Sequence, residues 1–143
     1  MAKARRSAGE LLLAARVLAF AVCVPLITRL PLARQEAILE PRRPRARACA
    51  REAWLAENVD RLLRRGAPLV RPGCLTRGLT HYFFLRRAGA DVVLQYGIGT
   101  VDGRVEGHCW LVRDGVPYLE AEDPRPHFVE THRVPSSSRA VAA

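Results

Sequence analysis

The sequence predicts an α+β fold, with helices in the first part of the chain and strands in the second. Apolar residues recur at helical spacing as far as about Ala88, whereas from Asp91 onward they alternate and are interrupted by two Asp-Gly pairs. The chain has 143 residues, 49% of them hydrophobic. That is enough for one domain with a modest core, which we assign to residues 1–143, and too little for two.

Residues 1–39 form an apolar segment that predicts a helix. Ser7 and Glu10 have the spacing of a capping box. The stripe that we expect to be buried follows at helical spacing and comprises Leu11, Ala15, Leu18, Val22 and Leu26. The run from Val17 to Ile27 is too short to span a membrane, and no clear signal-peptidase site follows it. We expect a helix that is buried or docks on a partner, with peripheral membrane association or export as the alternatives.

Residues 40–48 are rich in Pro and Arg and predict a solvated connector to a core at residues 49–133. The core starts with a second helix, which has apolar residues at helical spacing from Ala50 to Leu63 and Gly66 as its stop. A third helix follows the break at Pro72-Gly73 and ends at Gly89. Its apolar stripe comprises Leu75, Leu79, Tyr82 and Phe83, and Cys74 falls in its first turn.

Three strands are predicted at residues 91–99, 104–112 and 116–122, separated by the turns Asp102-Gly103 and Asp114-Gly115. They would form an antiparallel meander with the third helix packed on it. The tail, residues 134–143, has too few apolar residues to pack and is expected to be disordered.

The charge is strongly basic, with 23 Lys plus Arg against 14 Asp plus Glu, and residues 1–73 hold 15 of the basic and 6 of the acidic side chains. A basic half favours an anionic partner. However, aromatic residues do not alternate with Lys and Arg and no nucleic-acid motif is present, so we expect an Arg-rich solvated surface and no nucleic-acid binding. The four cysteines lack CxxC spacing and the density of a disulfide scaffold. A reducing, cytoplasmic location is the simpler expectation.

Cys74 is the candidate nucleophile, because the start of a helix stabilises a thiolate. The alternative is a small packing residue, a common role of buried cysteine. His81 lies seven residues along the same helix, about 10 Å away, and is expected to be a structural or surface residue. His127 and His132 have no group spaced to orient them and are expected at the surface. His108 remains as the candidate base.

His108, Cys109 and Trp110 are consecutive on one predicted strand, so His108 and Trp110 face one side and Cys109 faces the other. Neighbours on a strand cannot act together as nucleophile and base, so Cys109 is interpreted as a core packing residue. The same geometry excludes zinc held by His108 and Cys109. No other Cys/His pair has ligand spacing, so we expect no metal.

An acidic residue is expected to orient His108, and the register of the second hairpin decides which one. A three-residue loop, Arg113 to Gly115, would pair Val112 with Val116, Trp110 with Tyr118, and His108 with Glu120. A two-residue Asp-Gly turn would pair His108 with Ala121 instead and turn Glu120 away. Glu122 or Asp123 would then have to reach back. We favour Glu120.

The segments "CLTRGLTHYFFLRRAG" and "GHCWLVRDGVPYLE" resemble the compact, papain-related, transglutaminase-like cysteine proteases of lasso-peptide biosynthesis, the stand-alone split-B leader peptidases. The resemblance implies a transglutaminase-like core with Cys74 as nucleophile, His108 as base and Glu120 as the orienting acid. The chain departs from the family pattern at three positions: Gly78, where Ser or Ala is usual, Cys109, where Ala is usual, and Glu120, where Asp is more usual.

The resemblance also implies removal of the leader from a ribosomally made precursor peptide without a cofactor. A small leader-binding protein would deliver the precursor, and an ATP-dependent cyclase would act afterwards. Two alternatives stay open from the sequence. The same three residues would serve a transglutaminase or acyltransferase, and a non-catalytic module would use the basic helical half to bind an acidic peptide, a partner or a membrane surface.

Overall fold

The structure, a computed structural model, describes residues 7–43 and 45–136. In this part of the chain, four helices precede a four-stranded antiparallel sheet, which confirms the predicted α+β class. The helices are α1 (Ala8–Ile27), α2 (Leu32–Leu39), α3 (Cys49–Arg65) and α4 (Cys74–Arg87). The strands are β1 (Val93–Val101), β2 (Arg104–Arg113), β3 (Val116–Tyr118) and β4 (Phe128–Val134).

Helix α1 begins with the predicted capping box: the Ser7 amide donates to the Glu10 carboxylate at 2.9 Å, and the Glu10 amide donates to the Ser7 hydroxyl at 3.2 Å. The predicted buried stripe is wrong, since Leu11 and Leu26 are 55% and 63% exposed. The buried stripe comprises Ala14, Val17, Ala21, Val24 and Ile27. Because α1 is apolar on all sides, spacing alone does not select the face that packs on α3 and α4.

Helix α1 is also the one helix in the described ranges whose length and apolar composition would allow it to cross a membrane. Core helices and signal sequences meet the same criterion. The N-terminal segment holds a second helix, α2, which begins directly after Pro31. Pro31 suits this boundary because proline has a φ that fits the start of a helix and needs no N–H partner there.

Helix α4 is the centre of the molecule and packs on α1, α3, β1 and β2. It begins at Cys74, directly after Gly73, as predicted. Its end also follows the prediction, because Gly89 adopts a left-handed φ of 83° just beyond the last turn. Leu79 and Tyr82 are fully buried, whereas Leu75, assigned to the same stripe, is 42% exposed. The predicted buried stripe is therefore right for Leu79 and Tyr82 and wrong for Leu75.

The sheet has the strand order β3-β2-β1-β4. Strand β4, which was not predicted, pairs antiparallel with β1 and includes Val134, which is 1% exposed. The predicted tail was therefore placed too early, and residues 137–143 lie outside the described ranges. The sequence signal was weak because β4 is an edge strand with charged residues and an exposed Val129.

The turn between β2 and β3 has two residues, so the favoured three-residue loop was wrong. Asp114 and Gly115 both have positive φ, 51° and 77°, as a type I′ turn requires. Val112 therefore pairs with Pro117, not with Val116. The Asp-Gly pair fits this turn because both residue types tolerate left-handed backbone and the turn's twist matches that of the strands.

Strand β3 is also shorter than predicted. It ends at Tyr118, and Leu119 has a positive φ of 63°, which turns the chain out of the strand direction. No residue after Tyr118 pairs with β2 in the described part of the chain. Glu120 therefore reaches its position from a loop and not from a strand.

Candidate active site

Cys74 is the first residue of α4 and is half-buried. The residue before it, Gly73, has no side chain to cap the helix, and none of the described residues supplies a side-chain cap. The N–H groups of the first turn are therefore free, and the positive end of the helix dipole is directed at the Cys74 position. This environment favours a thiolate, as the sequence predicted.

Hydrogen bonds lower the pKa of Cys74 to about 5 from the usual value near 9.0. The largest cause is the hydrogen bond from the Cys109 thiol, and burial opposes it. A hydrogen bond and the charge of His108 lower the pKa further. With a pKa of about 5, the Cys74 thiol is deprotonated at neutral pH. The resulting thiolate is the reactive form of cysteine.

His108 lies on β2 with its ring against two aromatic side chains. The Trp110 ring is 6.0 Å away and nearly parallel, at 17°, and the Phe128 ring is 5.1 Å away. Trp110 therefore shares the face of His108, as predicted. Nε2 of His108 lies 3.6 Å from Oε2 of Glu120. Held between aromatic rings and a carboxylate, the imidazole has few alternative orientations.

Glu120 lies beside His108, although the register used to predict that contact was wrong. The positive φ of Leu119 turns the chain so that the Glu120 side chain, 13% exposed, faces the site. Among the described residues, neither of the two alternative acids pairs with His108. Asp123 pairs with Arg125 at 2.6 Å, and Glu122 is exposed. The structure thus brings together Cys74, His108 and Glu120.

Cys109 is buried, 2% exposed, which agrees with its prediction as a packing residue. It is nevertheless part of the site, which the sequence did not indicate. Its Sγ lies 3.0 Å from the Cys74 carbonyl oxygen, and its single S–H donates either to that oxygen or, when Cys74 is ionised, to the Cys74 thiolate. The hydrogen bond with Cys74 and burial raise the pKa of Cys109 well above its usual value, so it stays a protonated donor. The contact depends on how α4 packs on β2, which strand alternation cannot predict.

Arg77 is a second site residue that the sequence did not single out for this role. One turn beyond Cys74, its guanidinium binds Glu120, with Nη1 2.6 Å from Oε1, and also donates to the Leu119 carbonyl. Its Nε donates to Asp60 on α3 at 3.1 Å. The motif Cys-Leu-x-Arg was the only hint, since the partners lie 17 to 43 residues away.

The remaining histidines lie outside the Cys74 site. His81 is fully buried, with Nε2 2.9 Å from Asp60, so it is structural, one of the two expected roles. His127 is exposed, as expected. The surface position expected for His132 is wrong, since its ring packs 5.7 Å from that of Tyr96 and is half-buried. In residues 7–43 and 45–136, no three His, Cys, Asp or Glu side chains form a group able to hold a metal ion.

A cavity of about 430 Å³ opens beside the start of α4. Its walls come from the end of α3, the loop that follows and the first turn of α4, and its lining is mostly apolar. The lining includes Leu63, Val70, Pro72, Gly73, Thr76 and Arg77. The cavity thus reaches Gly73, the residue directly before Cys74 in the chain.

A family model described as the transglutaminase-like superfamily matches residues 11–133. The matched range contains Cys74, His108 and Glu120. Comparisons with curated proteins and with solved structures found no match.

Proposed function

Since the chain belongs to the transglutaminase-like superfamily, whose members are generally cysteine peptidases or acyltransferases, we propose that it is a leader peptidase of lasso-peptide maturation. In this proposal it hydrolyses the bond between the leader and the core of a ribosomally made precursor peptide. The observation that carries the proposal is the Cys74 thiolate at an uncapped helix start beside His108 and Glu120. The choice of pathway is supported by the resemblance of the segments around these residues.

The proposed reaction has two steps. The Cys74 thiolate attacks the scissile carbonyl, and the protonated His108 donates its proton to the leaving amine as the carbon–nitrogen bond breaks. Neutral His108 then removes a proton from water, which attacks the acyl-enzyme and releases the carboxylate product together with the thiolate. Glu120 orients the imidazole and stabilises its charged form.

Negative charge on the carbonyl oxygen in each step needs hydrogen-bond donors. The free N–H groups at the start of α4, near Cys74 and Leu75, are suited to this because they are rigid and already directed at the thiolate. In this proposal, backbone N–H groups alone donate hydrogen bonds to the carbonyl oxygen, and no side-chain donor is needed. The proposed reaction uses no metal or cofactor.

Two further proteins would act with this enzyme on the precursor peptide. A small leader-binding protein would present the precursor, and an ATP-dependent cyclase would close the ring of the released core. The cavity beside Gly73 would hold part of the bound peptide, because it reaches the residue before the nucleophile and has mostly apolar walls. The cytoplasm, where the precursor is made, is the proposed location.

The experiment is a reconstituted cleavage assay with precursor peptide and leader-binding protein, read by mass spectrometry. We expect the wild-type protein to release leader and core, and Cys74→Ala to release neither. Cys49→Ala is the matched control, because Cys49 also begins a helix, α3, but is exposed. It should retain full activity.

Product masses separate the alternatives. Hydrolysis adds the mass of water, whereas an acyltransferase would add the mass of an amine acceptor to the acyl product. Cleavage that persists in Cys74→Ala would contradict the proposal. So would the absence of cleavage by the wild-type protein when precursor and partner are both present.

A further inference from the structure

We propose that Arg77 is a positioning residue, which holds the Glu120 carboxylate in place to orient His108. The proposal rests on the proposed function for its catalytic meaning. Its structural basis is independent: the same guanidinium contacts the acid, the backbone beside the acid and a fixed anchor on another helix.

Glu120 needs such a residue because the sheet does not hold it. Strand β3 ends at Tyr118, two residues earlier, and Leu119 turns the chain away with a positive φ of 63°. A residue in a paired strand is fixed by ladder hydrogen bonds. Glu120 has none in the described part of the chain.

Arg77 replaces those bonds with two contacts. Nη1 donates to Oε1 of Glu120 at 2.6 Å, and Nη2 donates to the carbonyl oxygen of Leu119. The other carboxylate oxygen, Oε2, is left to face Nε2 of His108 at 3.6 Å. A planar guanidinium with several fixed donors suits this double contact, whereas a lysine ammonium would make only one of the two contacts.

Arg77 is itself held firmly. Nε donates to Oδ1 of Asp60 at 3.1 Å, and the same oxygen lies 2.9 Å from Nε2 of the buried His81. Both Asp60 and His81 are on helices that pack together, α3 and α4. Cys74 and Arg77 are both on α4, so helix geometry fixes the separation between the nucleophile and the residue that holds Glu120.

A different role for Arg77 would be simply to neutralise the charge of Glu120. The two roles predict opposite results when Arg77 is removed. If Glu120 stayed in place, its unbalanced charge would hold the imidazolium of His108 more tightly, and Cys74 would stay reactive at low pH. If Arg77 positions Glu120, the carboxylate leaves His108, and Cys74 loses part of its reactivity at low pH.

The test compares Arg77→Gln, Arg77→Lys, Glu120→Gln and the double variant Arg77→Gln/Glu120→Gln. Alkylation of Cys74 by iodoacetamide, followed by peptide mass spectrometry, gives its reactivity as a function of pH without any substrate. We expect Arg77→Gln and Glu120→Gln to move the pH of half-maximal reactivity upward by a similar amount, about one unit. The double variant should match Glu120→Gln alone, since Arg77 acts through Glu120. Arg77→Lys should fall between the wild type and Arg77→Gln.

Arg86→Gln is the matched control, because Arg86 is another half-buried arginine of α4, paired with Glu40 at 3.1 Å on the far part of the helix. It should leave the Cys74 profile unchanged. In the leader-cleavage assay we expect Arg77→Gln to lower kcat roughly ten-fold.

An Arg77→Gln profile at or below the wild-type pH would overturn the proposal, as would additive effects in the double variant. A wild-type protein that does not cleave the precursor would overturn the proposed function only, since the alkylation profile still decides the role of Arg77.

Discussion

At the residue scale, the low pKa of Cys74 depends on a neighbour of the same residue type. The Cys109 thiol is buried and protonated, and its hydrogen bond is the largest cause of the low pKa of Cys74. Sequence reasoning placed Cys109 in the core because alternation along β2 separates it from His108, and Cys109 is indeed buried. It missed the contact between the two cysteines because they are 35 residues apart and meet only through the packing of α4 on β2.

Replacing Cys109 by Ala should therefore raise the pKa of Cys74 above about 5, because the strongest stabilising hydrogen bond on the thiolate is lost. The pH profile of Cys74 alkylation, followed by peptide mass spectrometry, measures the shift. Cys23→Ala is the control, since Cys23 is an exposed residue of α1. An unchanged Cys74 profile in Cys109→Ala would show that the Cys109 thiol does not stabilise the thiolate.

At the scale of elements, α4 approaches β2 so closely that the side-chain sizes at positions 78 and 109 depend on each other. A Cβ added to Gly78 would lie 2.8 Å from Sγ of Cys109 and 3.3 Å from a methyl carbon of Leu94. Gly78 and Cys109 are two of the positions at which the chain departs from the family it resembles. The structure explains both at once, since the larger Cys109 side chain occupies the space that a residue larger than glycine would need at position 78.

Gly78→Ala should therefore fail to stabilise α4, although Ala in a helix interior is favoured over Gly by about 1 kcal/mol. The overlap with Cys109 is expected to offset that gain and to displace the Cys109 thiol. Adding Cys109→Ala removes Sγ and should restore the gain. Urea unfolding of the wild type, both single variants and the double variant measures the coupling free energy, expected at about 1 kcal/mol. Strictly additive changes would contradict the packing account.

Some helices and turns could be predicted from the sequence, and others could not. Helices α3 and α4 could be located because Gly66, Gly73 and Gly89 mark their ends and their apolar spacing is clear. The buried face of α1 could not be selected, since the helix is apolar all round. The β2–β3 register was equally open, because Asp114-Gly115 fits a two-residue and a three-residue loop. Leu119 gave no signal at all, since a positive φ is unusual for leucine.

At the scale of the whole molecule, the site is assembled from segments far apart in the chain. Helix α4 supplies Cys74 and Arg77, strand β2 supplies His108 and Cys109, and the loop after β3 supplies Glu120. Residue types and motif contexts singled out Cys74, His108 and Glu120 as candidates, and the structure places these three side chains together. The residues that hold them in place, Arg77 and Cys109, became visible only when the elements were packed together.

The measurement that tests the central claim most directly is the relative alkylation rate of the four cysteines in the wild-type protein at about pH 6. Accessibility alone would favour the exposed Cys23 and Cys49 over the half-buried Cys74. We predict the reverse order, with Cys74 modified first, because it is the thiol whose pKa is lowered to about 5. Modification of Cys23 or Cys49 ahead of Cys74 would contradict its assignment as the activated nucleophile.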